Sequence, residues 1–235
     1  MRLLIKFFHL TFNTMKKQLL LIMFVFLTVF ASAQVNTYLT TGSDYRFSGV
    51  MLDDTEDPTM VPRFTLWWNF SENFHVDLAQ SFGFFTGIGL VNHGFIAQYN
   101  DSLNTKVKFR TYNLEVPLGF KIGRVGAMDP MFFFAGGAIG LPLHYKEKVF
   151  YNDKKDYIIR EWFSDRVEML QPSAFVGMTL SNSMTLKVQY YFNDFMNTTF
   201  SENVGGMVVK PYLHMLHSNV IAVSVGGSFT GLKKK

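Results

Sequence analysis

Several stretches of the chain alternate apolar and polar residues with a period of two. In 63–70 the even positions Phe64, Leu66, Trp68 and Phe70 are apolar, while Arg63, Thr65 and Asn69 are polar and Trp67 is the exception. In 74–90 Phe74, Val76, Leu78, Phe82, Phe84, Ile88 and Leu90 alternate with His75, Asp77, Ala79, Ser81, Gly83, Gly87 and Gly89. In 112–122 Tyr112, Leu114, Val116, Leu118, Phe120 and Ile122 alternate with Asn113, Glu115, Pro117, Gly119 and Lys121. In 184–193 Met184, Leu186, Val188, Tyr190 and Phe192 alternate with Thr185, Lys187, Gln189, Tyr191 and Asn193. A period of two places one set of side chains on each face of a strand. Weaker runs at 37–51, 131–145, 168–180 and 219–229 bring the expected number of strands to eight. In 131–145 the apolar face is expected to carry Leu141, Leu143 and Tyr145, with His144 opposite.

The connections alternate in length. Short ones are expected at 71–73, 123–129 and 181–183, and long polar ones at 52–61, 91–106, 146–167 and 194–218. Short turns at one end and long loops at the other are the pattern of an outer-membrane barrel. The expectation is an all-β fold. It is an eight-stranded antiparallel up-and-down transmembrane β-barrel with short periplasmic turns and long extracellular loops. A soluble ligand-binding barrel is the fold-level rival, but it would carry apolar residues inside and polar ones outside.

Residues 1–33 read as a signal peptide. Lys16 and Lys17 precede an apolar stretch at 19–30, followed by Ala31, Ser32 and Ala33 as a small-residue cleavage site. Met15 is the expected true start. Residues 34–235 then form a single barrel domain, exported to the outer membrane. The chain has 22 Lys and Arg against 18 Asp and Glu. Four of those bases, Arg2, Lys6, Lys16 and Lys17, lie in the leader with no acid beside them. The remainder is therefore balanced, and its charge offers nothing to nucleic acid. The absence of cysteine excludes disulfides, zinc-thiolate sites and a lipoprotein anchor. The chain holds 26 Phe, and a surface facing lipid would account for so many.

The segment 109–121, with Tyr112, Leu114, Glu115, Val116, Pro117, Leu118 and Lys121, resembles the YLEIPL..K strand of the Bacteroidota outer-membrane β-barrel family, often called PorT-like. Phe134, Ala135, Gly136 and Gly137 resemble the glycine-bearing strand that follows it. The stretch from Val223 to Phe229 is similar to a barrel-closing strand with its terminal aromatic, although this chain continues into Lys233, Lys234 and Lys235. The resemblance implies an outer-membrane location and, for some members, an association with protein secretion.

The inward set is expected to include Asp44, Arg46, Arg63, His75, Asp77, Glu115, Lys121 and Lys187. An eight-stranded barrel is just wide enough for its own side chains to fill, so these charges should pair into a plug. A narrow ion path through the same groups is the alternative. His214 and His217 are a conceivable metal pair, and Asp53, Asp54, Glu56 and Asp57 a conceivable calcium loop, but both read better as solvated loops. Residues 146–166 carry six bases and five acids among aromatics. They are either a recognition surface or a hairpin continuing above the membrane. No catalytic, cofactor-binding or metal-ligating residue is assigned. The expected function is structural or surface-interacting and non-enzymatic, with outer-membrane lipid, lipopolysaccharide and a surface or secretion-machinery protein as partners. The alternatives are a lipid-modifying enzyme, through His93 or His144 with a neighbouring serine, and a small channel.

Overall fold

The computed structural model describes residues 35–66, 69–126 and 129–230. The expected leader, Trp67, Trp68 and the lysines at 233–235 lie outside them. The strands are β1 (Asn36–Asp54), β2 (Thr59–Val61), β3 (Arg63–Thr65), β4 (Phe70–Ala79), β5 (Phe82–Gln98), β6 (Lys106–Arg124), β7 (Met131–Tyr151), β8 (Lys154–Trp162), β9 (Gln171–Thr179), β10 (Met184–Tyr191), β11 (Glu202–Val204), β12 (Met207–Val209) and β13 (Met215–Thr230). Eight of them form the wall in the order β1-β4-β5-β6-β7-β9-β10-β13. Antiparallel pairing of β1 with β13, from Thr40↔Thr230 to Asp54↔Met215, closes the ring. Closure satisfies the backbone groups that an open edge would leave without partners in lipid.

The polarity is inverted relative to a soluble barrel. Lys121 and Arg46 are 0% and 1% accessible, whereas Leu118 is 67%, Phe133 65% and Phe229 77% exposed. Leu39, Phe47, Phe74, Ile88, Val116, Ile139, Val176 and Val223 share that outward band. Charge inside and grease outside identify a transmembrane barrel rather than a soluble one.

One turn lies elsewhere than the alternation suggests. Residues 71–73, expected as a turn, sit inside β4, and the connection falls at Gln80 and Ser81, within the stretch expected as one strand. The reason is a bulge. Asp77 faces Gly83, but Ala79 faces Phe82, so Leu78 is an extra residue. A two-residue hairpin normally switches the inward set from odd to even numbers. The extra residue cancels that switch, and the alternation runs through the turn unbroken. The segment 63–70 is likewise not one wall strand. β3 pairs with β1 and β2 pairs with β5 above the start of β4.

A second bulge moves Tyr145. Tyr112 faces His144 but Asn113 faces Pro142, leaving Leu143 extra. Tyr145 therefore turns inward and is 1% accessible, while His144 turns outward, the reverse of the expected faces. The strands also run further than their alternation shows. The expected loop 91–106 shrinks to 99–105, and 146–162 continues the wall upward as the β7–β8 hairpin.

Inward glycines and aromatics fit together in the short-turn half. A Cβ on Gly177 would lie 2.3 Å from the Phe134 ring, and one on Gly119 2.6 Å from the Phe85 ring. Phe85, Phe134 and Phe175 pack mutually at centroid distances of 5.9 to 6.1 Å. Gly177→Ala should therefore cost about 1–3 kcal/mol, the usual range for overpacking. Outward Gly49, with nothing within 4 Å of its missing Cβ, should accept alanine without loss. The temperature at which the compact band slows on an SDS gel measures both.

Candidate functional site

The interior is built in three layers. In the short-turn layer, Lys121 of β6 lies 2.6 Å from the Asp77 carboxylate of β4. It also donates to the Tyr38 hydroxyl at 2.7 Å and reaches His75 Nδ1 at 3.0 Å. An ammonium has only donors, so Nδ1 is the acceptor and the His75 proton sits on Nε2. That proton points to Thr40 Oγ1 at 2.9 Å. Tyr38 stacks on the His75 ring, with centroids 4.8 Å apart.

The middle layer is centred on Glu115 of β6. Its carboxylate accepts from the Tyr191 hydroxyl at 2.5 Å and from Gln189 Nε2 at 3.2 Å. Arg46 donates to Tyr191 at 3.0 Å and lies 3.9 Å from Asp44. Lys187 faces the same space, above the Phe175 ring at 5.9 Å; among the described residues it has no ion pair. Thr40, Gly42, Arg46, Glu115, Lys187 and Gln189 are among the residues around a cavity of about 150 Å³. It reaches the short-turn rim at Gly126, Ser183 and Thr230. The expected inward charges Asp44, Arg46, His75, Asp77, Glu115, Lys121 and Lys187 thus do share the lumen. Arg63 instead sits at the upper rim and donates to Asn92.

The loop-end layer closes the lumen. Phe95, Phe109, Tyr145, Tyr191, Phe195, Met196, Tyr212 and Met215 are all nearly inaccessible and form one apolar cluster. Phe195, Met196 and Tyr212 come from the loop after β10, which folds back into the mouth. Polar contacts fasten this lid. The Glu147 carboxylate accepts from Tyr145 at 2.6 Å and from Tyr212 at 2.7 Å. Arg166 donates to Glu161 at 3.1 Å, to Glu202 at 2.5 Å and to the Tyr212 hydroxyl at 3.2 Å. Burial, and then the neighbouring Glu147 charge, push the Tyr212 phenol above its usual range, which keeps it a neutral donor.

The remaining singled-out residues are dispersed. His93 is buried in the lid, its ring 3.9 Å from that of Tyr191. His144 faces outward between Tyr112 and Trp162. His214 lies 3.5 Å from Asp54 and His217 lies 3.6 Å from Asp194, so the two are tied to different carboxylates. Asp54 also accepts from the Tyr99 hydroxyl and the Glu56 amide, which gives the acidic loop an internal frame. Among the described residues no three His, Cys, Asp or Glu groups gather at metal-binding distance.

Above the lid stands the β11–β12 hairpin, which nothing in the alternation pattern signalled. Gly205 and Gly206 at φ 61° and 88° make its two-residue turn. Val204, Met207 and Val208 on it are 54%, 72% and 73% exposed.

No family model and no curated protein matches this chain. Solved structures similar to it include Ail, the attachment invasion locus protein of Yersinia pestis, in complex with the heparin analogue sucrose octasulfate. The identity is 10% and the TM-score 0.41, over 83% of this chain and 99% of that one. Neisserial surface protein A is similar at 9% identity and TM-score 0.37, over 83% and 98%. The N-terminal β-barrel domain of Pseudomonas aeruginosa OprF is similar at 9% and 0.27, over 83% and 100%. These likenesses are distant, and the barrel is established by its own strand pairing.

Asp77→Ala leaves Lys121 buried without its counter-charge. A loss of about 3–5 kcal/mol is expected for one broken buried pair. The double change Asp77→Ala with Lys121→Met should recover most of it. Urea unfolding in lipid vesicles reads the difference; equal losses in the single and double variants would mean the pair is not coupled.

Proposed function

We propose that this protein is an exported outer-membrane β-barrel that acts without catalysis, as a structural and surface-interacting protein, through its loop end. The observation that carries this reading is the division of labour along the barrel axis. The loop half of the lumen is filled by the protein's own aromatic side chains, which supports a closed barrel over a channel or an internal active site. The apolar residues of the β11–β12 hairpin stand exposed above it. A surface or secretion-machinery protein is the occupant proposed for that hairpin, in keeping with the PorT-like resemblance of 109–121. The signal-peptide reading of residues 1–33 supports export, and the short turns would then face the periplasm. His93, enclosed in the lid, has no access for a lipid substrate.

The chain has no cysteine, so a single introduced thiol reports its own location. Gly206→Cys should react on intact cells with a membrane-impermeant maleimide. Asn182→Cys, in the turn between β9 and β10, should react only after the outer membrane is permeabilised. The opposite order would invert the orientation, and labelling of both in a soluble fraction would remove the protein from the membrane. The purified wild type is also expected to give no conductance steps in a planar bilayer.

A further inference from the structure

The outward face of β6, β7 and β8 changes chemistry in steps with height. At the apolar level Leu114 faces Leu141. One step up, Tyr112 faces His144, which faces Trp162. Above that, Arg110 faces Lys146, which faces Arg160. Next, Lys108 faces Lys148, which faces Ile158. At the top, Lys106 faces Phe150, which faces Lys155. Each step is two residues, or about 7 Å along a strand. Apolar, aromatic and cationic zones thus follow one another as hydrocarbon, interface and headgroup do in a bilayer.

The cationic rows are unusual for a folded surface. Like charges directly opposite on neighbouring strands are destabilising. Natural sheets commonly alternate signs there, yet among the described residues none of Lys108, Arg110, Lys146, Lys148 and Arg160 has an ion pair within 4 Å. Lys106 pairs with exposed Asp153 at 2.6 Å. The Arg110 Nε and Arg63 Nη1 groups are buried and lack a hydrogen-bond partner. Arg63, Lys108, Arg110, Lys146 and Lys148 surround a cleft of about 110 Å³. Burial, and then the neighbouring cations, hold the Lys146 and Lys148 ammonium groups below their usual range. Such a cluster stores repulsion that a multivalent anion would relieve.

We infer that this lateral wall binds the phosphate groups of a glycolipid in the outer leaflet, with Arg110, Lys146 and Lys148 at its centre. The position selects a membrane lipid over a soluble anion. The cluster faces sideways just above the aromatic row, where headgroups lie, and not upward from the mouth of the barrel. Arg110 is steadied by the Tyr112 ring at 4.5 Å, and Lys108 by the Phe150 ring at 4.8 Å. The inference rests on the orientation proposed above, in which the loop end faces outward.

The test uses the purified full barrel in neutral phosphatidylcholine nanodiscs. The probes are bisphosphorylated lipid A, the same lipid A enzymatically dephosphorylated, and inorganic phosphate. Wild type should retain the bisphosphorylated form at least tenfold better than the dephosphorylated one, and added salt should weaken retention. The variant Arg110→Gln/Lys146→Gln/Lys148→Gln should lose at least tenfold, while Lys210→Gln, exposed and outside the cluster, should not. Without lipid A, the triple variant should unfold at the same temperature as wild type or higher, because repulsion has been removed. Equal retention by wild type and triple variant, or of both lipid forms, would overturn the assignment. So would full competition by millimolar inorganic phosphate, which would make this a free-anion site. A destabilised triple variant would mean the cations are structural. The maleimide labelling reports orientation separately, so a wrong orientation and a wrong binding site give different results.

Discussion

The hydrogen-bonded seam between β1 and β13 is the constraint on which the rest of the molecule depends. In hydrocarbon there is no water to satisfy a strand edge, so a sheet that spans a membrane has to close on itself. Eight strands close into a tube with room for side chains and little else. That single condition sets the polarity of every wall position. Outward residues in the apolar band are mostly Leu, Val, Ile and Phe. Inward residues meet one another, in a space where an unpaired charge is costly.

The interior meets that condition differently at different heights. Near the short turns, the Lys121–Asp77 pair and its Tyr38 and His75 neighbours sit beside a cluster of phenylalanines seated over glycines. In the middle, Glu115 gathers Tyr191 and Gln189 under Arg46. At the loop end an apolar lid replaces the charges, held by Arg166 and Glu147. The apolar cluster lies at the loop end, and the cavity of the middle layer reaches residues of the short-turn rim.

One bulge decides what the outer surfaces carry. The extra Leu143 turns Tyr145 into the lid and His144 out to the interface. It also sets Lys146 and Lys148 beside Arg110 and Lys108 on one outward face. A regular ladder would have placed Lys146 and Lys148 inside the barrel and Tyr145 in lipid. The cationic wall, the aromatic row and the tyrosine of the lid are consequences of one inserted residue.

Much of the architecture was legible in the alternation alone. The greasy outward face, the charged inward set and the asymmetry of the two ends follow from a period of two, because side-chain direction in a strand is a local property. The expected count of eight takes 63–70 as one wall strand and 74–90 as another, whereas the wall has β4 and β5 in their place. The turn at Gln80 and Ser81 was hidden because a bulge preserved the alternation across it. The inward Phe85, Phe134 and Phe175 broke the expectation of a polar lumen, and only their seating over glycines on neighbouring strands explains them. The basic residues at 106, 108 and 110 and at 146 and 148 do repeat every second position. Their meeting across β6, β7 and β8 depends on register, which is set by bulges and by ring closure. Which residues face in or out was therefore written locally in the chain, except beyond the Leu143 bulge, where the register reversed the faces. Which of them became neighbours was decided only when the strands paired, because hydrogen-bond register joins residues that are far apart in sequence.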